Sequence, residues 1–212
     1  MPPPPFRIAV LASGEGTNLG ALLERFPPGG HVAVALVVAD RDAAGALRRA
    51  RAAGVPAEVL HPLARGASGT LGERLLETLE RHAVHLVVLA GFLRKVPPAV
   101  VAAFRGRIIN VHPAPLPEFG GEGMYGRRVH EAVLAAGARE SGPTVHFVDE
   151  EYDRGPVIAH EPVPVLEGDL PETLAARVLT AEHRLLPRVV GALARGDIHL
   201  DAAGSVHVEG GW

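Results

Sequence analysis

Apolar residues along the chain alternate between short continuous runs and helically spaced patterns. A run of about four to eight apolar residues is typical of a buried strand, and i, i+3, i+4 spacing predicts an amphipathic helix. In the first half, the predicted strands are 7–12, 32–39, 57–60, 85–90 and 107–111, and the predicted helices are 19–26, 43–53, 71–82 and 98–104. Because strands and helices alternate, we expect parallel strands joined by right-handed crossovers.

The pattern changes beyond residue 112. The segment Pro113–Gly126 is rich in proline and glycine and predicts a long functional loop. It is followed by a predicted helix at 127–136, strands at 144–148 and 157–165, a long amphipathic helix at 171–194, and short strand or coil from Gly196. We therefore predict a single α/β domain over 1–212, with a doubly wound, mostly parallel sheet and an antiparallel C-terminal part.

Composition excludes several classes of function. A net charge of −3 argues against a nucleic-acid-binding surface, and no cysteine is available for disulfides, thiolate catalysis or metal binding. The eleven histidines show no metal-ligand spacing, so no metal is expected. Neither a signal peptide nor an apolar run of membrane-spanning length is evident, which predicts a soluble cytoplasmic protein. The sequence leaves a homodimer open.

The segment 107–117 places an amide and an imidazole at a strand end. Ile108 and Ile109 predict a buried strand, and prolines within 113–117 stop it because they lack the N–H of a ladder. Asn110 and His112 stand two residues apart, so in extended backbone they project to the same side. An imidazole exchanges protons near neutral pH and an amide can donate to an oxyanion, which suits acyl transfer to an amine. For an isolated Asn-x-His, a capping asparagine with a structural histidine is the alternative.

A glycine-rich turn, Ser13–Asn18, lies between the first predicted strand and helix. Glycines let backbone N–H groups converge on an anion, and the helix N-terminus favours negative charge, so a phosphate is the natural ligand. The turn lacks a Gly-Lys-Ser/Thr motif and matches the dinucleotide fingerprint poorly. A tight turn with a helix cap is the alternative. Ligands of parallel sheets bind at the carboxyl ends of strands, where we expect both this turn and Asn110–His112.

Other polar positions are ambiguous. Asp153 lies in a turn and is usually structural, but beside His112 it would raise the pKa of the imidazole or relay a proton. His146, inside a predicted strand, is interpreted as structural. Glu182 and His183 form a charged pair typical of a solvated helix face. The backbone of Gly91–Arg94 could hydrogen-bond a flat heterocycle.

Taken together, these segments resemble the glycinamide ribonucleotide formyltransferase family, folate-dependent enzymes of purine biosynthesis. The motifs that carry the resemblance are 13–18, 89–94, 110–113, 144–148, 153–158 and 182–183, and they cover nearly the whole chain in order. The resemblance implies a Rossmann-like formyltransferase fold. Its N-terminal half would hold the ribonucleotide phosphate and its C-terminal half the folate. It also implies transfer of the formyl group of 10-formyltetrahydrofolate, the co-substrate, to the amine of glycinamide ribonucleotide through a tetrahedral intermediate, without a metal.

The resemblance also implies roles for individual residues. The catalytic residues would be Asn110, His112 and Asp153. The ribonucleotide would be held by Gly16, Thr17, Asn18 and Glu182. The folate would be held by Leu93, Arg94, Lys95, Val96, Asn110, Asp149, Glu150, Glu151, Tyr152 and Asp153.

Two segments depart from the family pattern. The family often offers an arginine to the folate near Ser68, and here Arg65 or Arg74 would have to supply it. The loop Phe119–Arg128 is longer than the commoner family form.

Four alternatives are kept. A formyltetrahydrofolate deformylase or a methionyl-tRNA formyltransferase shares several motifs, but these families carry an extra N-terminal or a basic C-terminal domain that we do not expect here. A noncatalytic sensor of nucleotide phosphates would use only the glycine-rich turn. A dinucleotide-dependent oxidoreductase is disfavoured by the poor fingerprint. Free formate with ATP could replace the folate as donor, although no ATP site is recognisable.

Overall fold

The computed structural model describes residues 4–61 and 69–210. Within it the chain forms two compact units, Met1–Ile109 and Asn110–Trp212. None of the helices in the described ranges is long and apolar enough to cross a membrane.

The first unit alternates strands and helices. Its strands are β1 (Phe6–Leu11), β2 (Val32–Ala39), β3 (Ala57–Val59) and β4 (Leu86–Leu89), and its helices are α1 (Thr17–Arg25), α2 (Gly45–Ala52), α3 (Leu71–Arg81) and α4 (Pro98–Ala103). The strands pair in parallel in the order β3-β2-β1-β4. This confirms the parallel sheet predicted for the first half.

Burial explains why these strands are almost wholly apolar. Residues Ile8 to Ala12 are 0% exposed, and β4 is buried throughout. Parallel strands are covered on both faces, so no polar alternation is expected in them. The start of helix α3 is fixed by a capping box. The Thr70 hydroxyl accepts from the Glu73 N–H, and the Glu73 carboxylate accepts from the Thr70 N–H.

The second unit is more mixed. β5 (Ile108–His112) begins at the end of the first unit, and is followed by α5 (Arg127–Ala135), β6 (Glu140–Ser141), β7 (Thr144–Phe147), β8 (Val157–His160), β9 (Val163–Pro164), α6 (Pro171–Arg195), β10 (Ile198–Leu200) and β11 (Val206–Val208). The strand order is β5-β7-β8, and β7 and β8 are antiparallel. The predicted antiparallel C-terminal part is therefore confirmed. Helices α5 and α6 enclose an apolar cluster that includes Val129, Val133, Leu174 and Val178.

One strand prediction needs correction. The single strand predicted over 157–165 is interrupted, because Pro162 has no N–H to continue the ladder. The chain resumes as β9, which pairs with β6 through Ser141 and Val163. The tail contains the short strands predicted from Gly196: β10 and β11 form an antiparallel hairpin in which Ile198 faces Val208.

Candidate active site

Strand β5 carries the first two residues of the site. The buried, β-branched residues Ile108 and Ile109 open the strand, which continues through His112, one residue further than the sequence predicts. Asn110 and His112 are therefore both in extended backbone, and their side chains share one face. Pro113 follows at once and cannot donate to a ladder.

Asp153 comes from the turn between β7 and β8. Its φ of 54° is in the left-handed region that non-glycine residues adopt under constraint. Its Oδ2 accepts a hydrogen bond from the Gly121 N–H at 3.0 Å and lies 3.6 Å from Nδ1 of His112. Its Oδ1 accepts from Nδ2 of Asn110 at 3.3 Å. The fold thus brings together the three residues of the expected catalytic group.

Two glycines make room for this arrangement. A Cβ added at Gly120 would lie 2.8 Å from Cβ of Asp153, closer than real Cβ atoms approach one another. A Cβ at Gly155 would collide with the carbonyl oxygen of Phe147. The Asp-x-Gly spacing therefore has a steric reason, because the turn that presents Asp153 folds back against the end of β7.

The hydrogen bonds of His112 decide where its protons lie. Its Nε2 is 2.8 Å from the carbonyl oxygen of Phe119, and a carbonyl only accepts, so Nε2 carries a hydrogen in both charge states. The nitrogen that gains or loses a proton is therefore Nδ1, which faces Asp153. At 3.6 Å the two atoms are too far apart for a direct hydrogen bond.

Burial governs the charge of this pair. The pKa of His112 is lowered by its burial, although the charge of Asp153 and the Phe119 carbonyl act in the opposite direction. Burial raises the pKa of Asp153, but the charge of His112 and the Gly121 N–H hold it below its ordinary value. Near neutral pH the pair is accordingly an ionised carboxylate beside a neutral imidazole.

His146 is a fourth member of the cluster. Its Nδ1 is 2.8 Å from the carbonyl oxygen of Phe147, so Nδ1 carries the hydrogen and a neutral ring presents Nε2 as an acceptor. Nδ2 of Asn110 lies 3.1 Å from that Nε2. Both hydrogens of the Asn110 amide are therefore engaged, one by His146 and one by Asp153, and its oxygen is directed elsewhere.

Glu182 is not on a solvated face. It lies in α6 and is only 8% exposed. Together with Pro113, His130 and Leu179 it lines a cavity of about 400 Å³ within the second unit. Arg127 and Glu172, which also line the cavity, form an ion pair.

The glycine-rich turn opens helix α1. The helix begins at Thr17, two residues earlier than predicted, so Thr17 and Asn18 contribute the N–H groups of its first turn. Gly16 has a φ of 70°, and a Cβ there would lie 2.7 Å from Cα of Ala46. Only glycine fits this position, and it leaves the helix N-terminus without a side-chain cap. These features suit an anion site.

The expected folate segments differ in exposure. Leu93, Arg94 and Lys95 are exposed and Val96 is buried. Asp149, Glu150 and Glu151 are exposed, with the Asp149 carboxylate accepting from the Glu151 N–H at 2.9 Å, and Tyr152 is 38% exposed. Burial, helped by Glu122 and Asp153, raises the pKa of Tyr152.

Three remaining expectations concern the folate arginine and a metal. Arg65 and Ser68 lie outside the described residues. Arg74 donates to the carbonyl oxygen of His61 at 3.2 Å. Among residues 4–61 and 69–210, no group of three or more His, Cys, Asp or Glu side chains could hold a metal ion.

The sequence matches the formyl transferase family over residues 6–190. The chain belongs to that family. This formyl transferase is 44% identical over 189 residues to the chloroplastic phosphoribosylglycinamide formyltransferase of Arabidopsis thaliana, a match that covers 88% of the chain. The chain spans 65% of that plant protein, slightly less than two thirds of its length.

Shorter relatives match this formyl transferase over most of their length. It is 36% identical to the phosphoribosylglycinamide formyltransferase of Escherichia coli, over 91% of the chain and 89% of that protein. The crystal structure of glycinamide ribonucleotide transformylase 1 from Symbiobacterium toebii superimposes with a TM-score of 0.86 at 39% identity, covering 97% of this chain and 95% of the other. The resemblance expected from the motifs is thus confirmed.

The structure adds to three sequence-based interpretations of the site of this formyl transferase. Asp153 acts to raise the pKa of His112, as predicted, but burial of the ring lowers that pKa by more. His146 lies beside the Asn110 amide; its place opposite β5 depends on strand order, which sequence alone does not give. Glu182 is buried, which its position among the apolar residues of α6 could have indicated.

Proposed function

We propose that the chain transfers the formyl group of 10-formyltetrahydrofolate to the amine of glycinamide ribonucleotide in purine biosynthesis. The observation that carries the proposal is the cluster of Asn110, His112 and Asp153, in which an ionised carboxylate faces a proton-accepting imidazole. Such a cluster can move a proton without forming a covalent intermediate. The two compact units would act as one formyltransferase domain over 1–212.

The reaction proceeds by direct attack. The lone pair of the substrate amine forms a bond to the formyl carbon, and the carbonyl electrons move onto oxygen. The proton lost by the amine passes to Nδ1 of His112, and the resulting imidazolium is stabilised by Asp153. When the bond between the formyl carbon and N10 breaks, the same proton goes to N10. A water can bridge the 3.6 Å between Nδ1 and the carboxylate during this relay.

Asn110 stabilises the oxyanion in this scheme. Its amide hydrogen on Asp153 makes the longer of its two hydrogen bonds, 3.3 Å against 3.1 Å to His146. We infer that this hydrogen exchanges the Asp153 carboxylate for the oxyanion as its acceptor, while the hydrogen bond to His146 holds the plane of the amide. The interaction is then stronger in the transition state than in the ground state, which is what catalysis requires.

The ribonucleotide and the folate are each assigned to their own residues. The N–H groups of Gly16, Thr17 and Asn18 suit the phosphate of the ribonucleotide, and the buried carboxylate of Glu182 suits its ribose hydroxyls. The backbone of Leu93–Val96 and the turn Asp149–Asp153 would hold the folate. Holding both substrates in position can contribute about 7–11 kcal/mol in favourable cases.

The proposal also includes the sequence-based expectations about the donor, a metal, the location and the partners. The donor is 10-formyltetrahydrofolate used as a co-substrate, and no metal takes part. The protein acts on small molecules in the cytoplasm without nucleic acid or membrane, and a homodimer is left open.

The proposal is tested with the purified protein, 10-formyl-5,8-dideazafolate and glycinamide ribonucleotide, each omitted in turn, by following deformylation spectrophotometrically. Deformylation that requires both substrates supports the transferase. Deformylation without the ribonucleotide identifies a hydrolase. Ribonucleotide binding without turnover favours the phosphate sensor, and binding of NAD with thermal stabilisation favours the oxidoreductase.

A further inference from the structure

A bridge in the first unit links the glycine-rich turn to the segment that follows β4. The parallel ladder between β1 and β4 ends where Leu11 faces Leu89, and the Ala90 N–H still donates to the Leu11 carbonyl. Beyond it the Ser13 N–H donates to the Gly91 carbonyl at 3.0 Å. The Leu93 N–H then donates to the Ser13 hydroxyl at 2.9 Å.

The Ser13 hydroxyl has a second partner. It hydrogen-bonds the carboxylate of Asp40, which directly follows β2 and is only 6% exposed. A hydroxyl has one hydrogen and two lone pairs, so it can donate to Asp40 while it accepts from Leu93. Ser13 itself is 4% exposed, and its hydroxyl is therefore satisfied by protein groups.

Asp40 holds the same segment at a second point. Its Oδ2 lies 3.3 Å from Nε of Arg94, and Arg41 donates to both carboxylate oxygens at 3.1 and 3.2 Å. The segment Gly91–Val96 contains no helix or strand, and Leu93 to Lys95 are exposed. The Leu93 N–H and the Arg94 guanidinium are thus both tied to a buried pair, in which Ser13 lies just beyond β1 and Asp40 just beyond β2.

We propose that Ser13 and Asp40 are positioning residues that hold the folate-binding backbone of Leu93–Val96 in its binding conformation. The inference rests on the proposed function, because it takes these residues as part of the folate site. The fold of the sheet does not depend on the bridge, since the ladder hydrogen bonds of β1 and β4 end before it. Loss of the bridge should release the segment and weaken folate binding, while the phosphate-binding N–H groups of α1 stay in place.

The test compares Ser13→Ala and Asp40→Asn with Thr173→Ala. Thr173 is a matched control, because its hydroxyl also accepts from a backbone N–H, that of Leu170 at 2.9 Å, and donates to a carboxylate, that of Asp169 at 2.8 Å. For each protein, titration calorimetry gives the Kd of 10-formyl-5,8-dideazafolate and of glycinamide ribonucleotide separately. Amide hydrogen exchange at Leu93 is measured without ligand.

We expect Ser13→Ala to raise the Kd for the folate analogue about five- to tenfold, the effect of losing one hydrogen bond that orders a loop. The Kd for the ribonucleotide should change less than about twofold, and the Leu93 amide should exchange about tenfold faster. Asp40→Asn should act in the same direction, and it provides the test if Ser13→Ala does not fold. Thr173→Ala should leave both Kd values unchanged.

Three results overturn the inference. An unchanged Kd for the folate analogue in a folded variant would do so, as would equal losses of affinity for both ligands or unchanged exchange at Leu93. Wild-type protein that binds neither ligand would instead refute the proposed function, and the exchange of the Leu93 amide would still report on the bridge itself.

Discussion

The ring of His112 is fixed by the Phe119 carbonyl, which accepts from its Nε2 at 2.8 Å and leaves Nδ1 to face Asp153. A histidine held in this way can change its charge at only one nitrogen. Since burial lowers its pKa, the ring is a base near neutral pH and becomes an acid only after it has taken a proton from the substrate. One side chain can therefore serve both halves of the transfer.

Loss of either partner of this pair should affect the chemical step. We expect His112→Ala and Asp153→Asn to lower kcat by about 10²–10⁴ and to change the Kd for the ribonucleotide less than about threefold. Steady-state kinetics and calorimetry measure the two effects. Glu77→Gln is the control, because Glu77 is an exposed carboxylate of helix α3 that is not part of the proposed site. Equal losses in kcat and in ribonucleotide affinity would refute the catalytic assignment.

His146 should act through Asn110. Replacing it with leucine removes the acceptor that holds the amide and leaves one amide hydrogen unpaired, so kcat should fall about tenfold. His146→Gln can keep an acceptor near Nε2 and should recover part of the loss. The kinetics of both variants are compared at saturating substrate. A leucine variant with wild-type kcat and normal stability would show that His146 has no part in catalysis.

Gly120 should tolerate no side chain. In Gly120→Ala the new Cβ presses on Cβ of Asp153, so the carboxylate must shift and kcat should fall at least about tenfold. Gly20→Ala is the contrasting change, because its Cβ meets only Arg49 Nη1 at 3.5 Å inside helix α1. That variant should be more stable by about 0.5–1 kcal/mol in urea unfolding and fully active. Wild-type kcat in Gly120→Ala would contradict the steric argument.

Stability should decrease as the solution is made moderately acidic. The pKa values of His112 and His130 are lowered from 6.5 mainly by burial, so the unfolded chain binds more protons than the folded one just below this pH. The contribution of these two histidines to the free energy of unfolding is complete above pH 6.5. It is lost as the pH falls below 6.5 toward their pKa values in the folded protein. Asp153 and Asp40, whose pKa values lie below 3.8, lose their contribution only below 3.8.

Urea unfolding followed by circular dichroism between about pH 8 and pH 5 measures this dependence. The free energy of unfolding should not change with pH near pH 8 and should decrease below about pH 6.5. A His130→Gln variant should show a shallower fall, since it removes one of the imidazoles whose pKa is lowered by burial. A free energy that rises on acidification would show that burial does not control these histidines.

The sequence predicts the features that depend on local pattern. The apolar runs of β1, β2 and β4 mark buried parallel strands, and the proline after His112 marks the end of β5. The Asn-x-His spacing places two side chains on one face because a strand has a period of two residues. Features that depend on strand pairing cannot be predicted from local pattern. The acceptor role of His146 follows from the order of the strands in the sheet. The short pairing of β6 with β9 follows from the break at Pro162.

The charge of His112 also required the structure. An aspartate beside a histidine raises the pKa of the ring when both are solvated, but here the ring is 3% exposed and desolvation has the larger effect. Sequence identifies the partners of such a pair. The depth at which the fold buries them decides which of the two carries a charge.

All four members of the cluster, Asn110, His112, His146 and Asp153, come from one stretch of chain, 110–153. The glycine-rich turn at the start of α1 belongs to a separate stretch, which contributes no side chain to the cluster. A lineage could therefore inherit the catalytic cluster as a unit and change the acceptor by altering other segments. Diversification of acceptors around an unchanged cluster would need no new catalytic residue.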